Sequence, residues 1–215
     1  EMLDLKGALV TADAIHCNVE TARTVRARGG DYLFALKANR PATLADVETF
    51  FADPASPLAD THETVDADHG RLEIRRHAVV HEVDWLFADA GDPNRPAMPD
   101  LATIARVESQ VERDGKITRS TRYYLSSARL SAERFARAVR AHWGIENGVH
   151  RVLDMVFDED RARNRKDHGA ENLAVLRKLA LNVLKRARPD ISIRRKRKRA
   201  GWSDPFALSI LGQMR

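Results

Sequence analysis

The sequence predicts an α/β fold, on three observations. Gly7 to Ala14 (GALVTADA) and Asp31 to Lys37 (DYLFALK) are short apolar runs on either side of a helix-like stretch. Strand, helix and strand within about 30 residues is the layout of a parallel βαβ unit. His69 to Val80 (HGRLEIRRHAVV) sets Arg71, Glu73 and Arg75 against Leu72 and Ile74, the period-two pattern of a half-exposed antiparallel strand. From Ser131 onward, apolar residues recur at helical spacing instead.

The first run ends on Asp13, a carboxylate at the C-terminal tip of a buried strand. Sheets of this kind carry their ligands at that end. The same aspartate also suits a turn or a helix cap, and both readings stand. Asn18 to Ala27 reads as a helix closed by Gly29 and Gly30, and the second strand leaves through the polar residues Lys37 and Asn39. A helix is expected from Pro41 to Phe51, then a loop punctuated by Pro54 and Pro57. Further strands are expected over 69–80, 83–87, 103–112 and 118–126, with a turn at Asp114 and Gly115. They form a β-rich insertion. Helices return over 131–158 and 169–188, and Pro189 stops the second.

Within the first of those helices, 100° per residue puts Phe135, Val139, His142, Glu146, Val149 and Leu153 on one narrow stripe. A carboxylate thus interrupts an apolar face. Carboxylates are rarely buried without a partner, so Glu146 points to a bound cation, an arginine or a metal. The plainer reading is a glutamate at the helix edge paired with Arg140 or His150. Asp154, Asp158, Glu159 and Asp160, followed at once by Arg161, Arg163, Arg165 and Lys166, read as a solvated, salt-bridged helix end.

At 215 residues and 43 % hydrophobic content the chain suffices for one substantial core in one or two domains. No stretch approaches the ~20 apolar residues of a membrane span, and the N-terminus lacks a secretory layout, so a cytoplasmic, nucleoid-associated protein with no membrane partner is expected. One cysteine, Cys17, rules out an internal disulfide and a Cys-rich zinc site, and it reads as a small packed residue. The eight histidines show no zinc spacing. Asp190 to Arg215 holds seven cationic and two acidic residues, so this segment accounts for the whole net charge of +5. Its run Arg194, Arg195, Lys196, Arg197, Lys198 and Arg199 suggests a flexible arm for nucleic acid, bound in a salt-sensitive way, or else a solvated terminus.

Four blocks carry a more specific signal: TADAIHCN around Asp13, GGDYLFALKANR after it, HGRLEIR, and RAHWGIENGVHRVLDMVFDEDRARNR around Glu146. In this order and spacing, over Leu3 to Arg188, the chain resembles DDE-type insertion-sequence transposases of the branch that includes the H-repeat-associated proteins. The resemblance implies a partial ribonuclease H-like core: residues 1–60 as its first part, 61–128 as the β-rich insertion, 129–189 as core helices carrying the glutamate, and 190–215 as a basic tail. It implies DNA transposition, in which carboxylates hold two Mg²⁺ or Mn²⁺ about 3.5–4 Å apart for in-line attack at phosphorus. Asp13 and Glu146 would be two of the family's three ligands. The partners implied are transposon-end and target DNA, with a homodimer joining two ends in a synaptic complex.

The family's first catalytic aspartate lies on an earlier strand, and this sequence begins after it, at Glu1. The expectation is therefore the C-terminal part of a transposase, from a truncated gene or a decayed copy. Wider relatives place Tyr, Arg and Lys around the glutamate where this chain has Val139, His142 and Leu153. His142 and Asn147 are candidates for DNA or metal-adjacent duties, and Lys37, His69 and Arg71 for DNA contact, with surface strand residues as the alternative for the last two. Trp143 reads as a core or interface residue. Three functions follow: a transposase or its remnant, a DNA-binding fragment without catalysis, and a nuclease of the same fold.

Overall fold

The computed structural model describes residues 4–68, 70–87 and 96–212, and the side chains of Asp68 and Glu146 lie outside what it describes. The chain divides into two compact units, Glu1–His142 and Trp143–Arg215.

The first unit is built on six strands: β1 (Leu9–Ala12), β2 (Asp31–Leu36), β3 (Asp60–Asp68), β4 (Arg71–Val80), β5 (Thr103–Arg113) and β6 (Lys116–Ser126). They form one sheet in the order β1-β2-β6-β5-β4-β3. β1 and β2 are parallel, as a βαβ unit requires, with Ala12 beside Phe34; α1 (Val19–Ala27) connects them. Asn18 starts α1, its side chain accepting the Thr21 N–H at 2.8 Å. The β-rich stretch over 61–128 makes no sheet of its own. Its last strand, β6, runs antiparallel to β2 with Phe34 beside Leu125, which extends the βαβ pair into the six-stranded sheet.

β2 explains why one sheet suffices. Tyr32, Phe34 and Leu36 pack on one face with Ala22 and Val25 of α1 and with Val47 and Phe51 of α2 (Pro41–Ala52). Leu33 and Ala35 pack on the other face with Phe135 and Val139 of α3 (Ala132–Ile145). Side chains alternate across a strand, so a strand covered on both faces reads as an unbroken apolar run, as DYLFAL does. Cys17 joins the first of these cores, and burial pushes its thiol up to about 11, which suits packing and not nucleophilic work.

Three expectations are corrected. Residues 84–87 form a short 3-10 helix (Asp84–Phe87) where a strand was expected; Trp85 leaves the sheet direction to stack on Phe50, ring centroids 5.1 Å apart, and its indole N–H donates to the Glu82 carbonyl. β3 was not foreseen, because DTHETVDAD is an edge strand that pairs with β4 alone and is rich in charge. On β4, Glu73 is buried at 7 % exposure whereas Leu72 is exposed. Arg71 and Arg75 each donate to the Glu73 carboxylate at 2.7 Å, so the ion-paired face is the protected one there. The turn at Asp114 and Gly115 is as expected, with φ of 53° and 73°, the left-handed pair of a type I′ hairpin.

His77, on β4, is 3 % exposed, and its Nδ1 donates to the His62 carbonyl at 3.2 Å. Burial holds its imidazole below the ordinary 6.5, opposed by the hydrogen bond to the His62 carbonyl and aided by the nearby charges of His62 and Arg75. The unfolded chain therefore binds this proton more readily than the folded one, so stability is complete above about pH 6.5 and falls as pH drops below it. Urea midpoints between pH 7 and 5 are expected to decline in the parent and to be flatter in His77→Gln. Parallel declines would remove His77 as the cause.

The second unit is helical. After α3, residues Glu146–His150 form a π-helical turn, followed by α4 (Arg151–Phe157), α5 (Gly169–Arg186), α6 (Ile193–Trp202) and α7 (Asp204–Leu211). Leu184, Ala187, Phe206 and Ile210 form its core, with Phe157, Val183, Ile193 and Ala200 against it. The basic run is thus a folded helix and not a flexible arm. Ser192 caps it, Lys196 is buried at 3 % exposure, and the Arg197 and Arg199 guanidinium groups lie 5.7 and 4.6 Å from the ring centres of Phe157 and Phe206.

Candidate catalytic edge of the sheet

The parallel pairing of β1 and β2 brings their C-terminal ends to one edge. Asp13 follows β1 directly, with extended backbone (φ −73°, ψ 167°), and opens a short 3-10 helix, Ala14–His16. Lys37 follows β2, and its ammonium donates to Asp13 Oδ1 at 2.8 Å. Asn39, two residues on, donates to the Ala14 carbonyl at 2.6 Å and fixes the loop that carries the aspartate. Both members of the ion pair are more than half exposed, 59 % for Asp13 and 58 % for Lys37.

His142 reaches the same edge from α3. Its Nδ1 is hydrogen-bonded to Thr11 Oγ1 at 3.1 Å. Thr11 and Asp13 are two residues apart, so both belong to the sheet face on which α3 packs. The bond to Lys37 holds the Asp13 carboxyl below the ordinary carboxylate value, with the Ala14 backbone, the Lys37 charge and His142 adding to it, against a smaller opposing effect of burial. The edge therefore presents an ionised carboxylate at neutral pH. Lys37→Met is expected to raise the Asp13 titration midpoint, read by carboxyl-carbon NMR, while stability changes by less than about 1 kcal/mol, as for other surface pairs. An unmoved midpoint would detach Lys37 from the aspartate.

Asp13, Lys37 and His142 are thus brought together. Thr11 and Asn39, which hold two of them, were not singled out as site residues; the two-residue spacing of Thr11 and Asp13 was the signal available. Glu146 opens the π-helical turn, with Asn147 exposed beside it, but the Glu146 side chain lies outside the described residues. π turns are rare and occur often at functional sites. The turn also breaks the 100° phase beyond Glu146, between the Phe135 stripe and Leu153. Arg140, a proposed partner for Glu146, donates to Asp66 Oδ2 at 2.8 Å, alongside Arg75 at 2.6 Å. Arg71 starts β4, and His69 lies outside the described residues. In the sheet register Arg71 stands opposite Arg113, and Arg113 opposite Lys116. Arg71 is held by the Glu73 carboxylate at 2.7 Å and Arg113 lies 3.6 Å from that of Asp114, so neighbouring acids offset the like charges in this row.

A divalent metal fits Asp13 chemically, since an ionised, accessible carboxylate is a hard oxygen ligand. Among the described residues no three His, Cys, Asp or Glu side chains stand close enough to hold a metal.

The family described as the transposase DDE domain matches residues 1–183. The chain belongs to this family. The chain is 34 % identical to "Putative protein YbfL" of Escherichia coli (strain K12) over 98 % of its own length and 56 % of that protein. It has the same identity, over the same shares, to "H repeat-associated putative transposase YhhI" of the same strain. It is 33 % identical to "Putative transposase YncI" of Escherichia coli O157:H7, over 98 % of this chain and 54 % of that protein. The chain thus spans about half the length of the curated relatives it matches. No solved structure matches it. The mixed α/β architecture is that expected of the DDE domain, and among the described residues no helix is long and apolar enough to cross a membrane.

Proposed function

We propose that this chain supplies part of a DNA transposase that cuts and joins phosphodiester bonds at insertion-sequence ends, with Asp13 and Glu146 as metal ligands on a ribonuclease H-like core. The family match carries the reading, and the ionised Asp13 at the carboxyl edge of the parallel pair gives it a chemical centre. The placement of α1 and α2 on one sheet face and α3 on the other supports that core. Mg²⁺ or Mn²⁺, once bound, would polarise the phosphate and activate the attacking water or 3′-hydroxyl. The chain's own residues would do the positioning. Asp13 offers a ligand oxygen, Lys37 exchanges its carboxylate partner for a DNA phosphate, and Thr11 orients His142 toward the reacting strand. Asn147 lies beside the glutamate. The cation Arg71, with His69 two positions before it in sequence, and the exposed α6 cations Arg194, Arg195, Arg197, Lys198 and Arg199 draw in the DNA backbone. A dimer would hold two ends in one synaptic complex, and such a protein would work at the nucleoid.

A plasmid carrying the cognate ends tests this. Metal-dependent nicks at the ends, followed by joined products, are expected. Cuts without regard to the ends would indicate a nuclease of the same fold. A second reading, DNA binding without cutting, is favoured by the α6 cations, whose contacts need no metal; it predicts salt-sensitive retention of an intact plasmid.

A further inference from the structure

We infer that the outward face of α6 binds unpaired nucleotides, with Trp202 stacking on a base and Arg194, Arg195 and Lys198 holding the flanking phosphates. The six consecutive cations are not equivalent once they are folded. Lys196 is buried, and Arg197 and Arg199 lie against Phe157 and Phe206 in the packing of the second unit. Ile193 and Ala200 turn toward the same core. Arg194, Arg195, Arg197, Lys198 and Arg199 are all exposed, but Arg197 and Arg199 lie over aromatic rings, which leaves Arg194, Arg195 and Lys198 for the outward face, and Trp202, the last residue of the helix, is 73 % exposed. At 3.6 residues per turn, Arg194, Lys198, Trp202 and Arg195 fall within an arc of about 100°. A large ring left in water amid cations is the combination that grips single strands, where each base offers a free face for stacking and the phosphates supply the charge.

The same face suits other anionic partners less well. In a duplex the base faces are covered by their neighbours, so the indole has nothing to stack on and only the cations contribute. At a lipid surface a helix anchors through a broad apolar face, and the apolar residues of α6 other than Trp202 are committed to the core. Trp202 therefore points to unpaired nucleotides.

This inference rests on DNA being the partner, and the test keeps the two apart. The chain would be titrated against one labelled oligonucleotide, as a single strand and as a duplex, by fluorescence anisotropy. In Trp202→Ala, single-strand affinity is expected to fall about tenfold or more, with duplex affinity unchanged, and Trp202→Phe is expected to recover most of the loss. Arg195→Gln and Lys198→Gln are expected to weaken both forms and to lower the salt slope by about one each. Equal loss on both forms, no loss in Trp202→Ala, or no recovery in Trp202→Phe would overturn the inference and leave DNA binding standing. Binding of neither oligonucleotide would remove the DNA reading as well. Trp202-dependent capture of anionic vesicles without oligonucleotide binding would hand this face to lipid.

Discussion

Asp13→Asn is expected to lower metal-dependent cleavage at insertion-sequence ends by about a thousandfold or more, with almost no change in stability. The size of the loss follows from the substitution: asparagine keeps the shape but replaces a charged oxygen ligand by a neutral one, and a metal contributes several kcal/mol at the transition state, each 1.36 kcal/mol being tenfold in rate. The stability expectation follows from position. Asp13 is 59 % exposed and its ion pair with Lys37 is a surface contact, worth at most about 1 kcal/mol. Initial nicking rates and urea midpoints, measured on the same preparations, separate the two effects. Cleavage retained within tenfold would remove Asp13 from the metal site, and a collapsed midpoint would show that it holds the fold instead.

Phe135→Ala is expected to destabilise the first unit by about 3–5 kcal/mol, the range for deleting a buried aromatic ring. Phe135 is fully buried, and its ring meets His77 and Tyr124 edge-on at centroid distances of 5.9 and 5.2 Å. It is the largest residue of α3 in the core on that face of the sheet. α3 also carries His142 to Thr11. Conditions that leave the variant folded should therefore still loosen the His142 contact, visible as a shifted imidazole signal. A loss below about 1 kcal/mol would mean that the pocket collapses around the missing ring.

The residues that announced this fold were those whose surroundings are local or uniform. DYLFAL is covered on both faces, so its apolar run needed no knowledge of partners, and Asn18, Asp114, Gly115 and Pro189 marked boundaries by their own backbone chemistry. β3 escaped because an edge strand draws its pairing from one neighbour and its composition from solvent. The 84–87 segment misled because VDWLF has strand-like residues whose direction is decided by Phe50, more than thirty positions away in sequence. At the candidate site, Asp13 and Lys37 were visible as polar exits from two apolar runs. His142 was visible as a stripe residue and Thr11 only within the TADAIHCN block, and their contact spans 131 positions and depends on how α3 lies on the sheet. The basic run failed as an arm because each cation was counted as charge alone, whereas Lys196, Arg197 and Arg199 also bring hydrocarbon and a flat cation that pack on aromatic rings.

The wide turn at Glu146–His150 bears on how this protein should be aligned with others. Where a relative keeps an ordinary helix through the same place, it spans the distance with one residue fewer. A single-position gap there would mark a change in winding, with Ile145 before it and Leu153 after it still counterparts of those in the relative. Forcing the gap closed would shift every downstream position by one and pair Leu153 with a residue on another side of the helix.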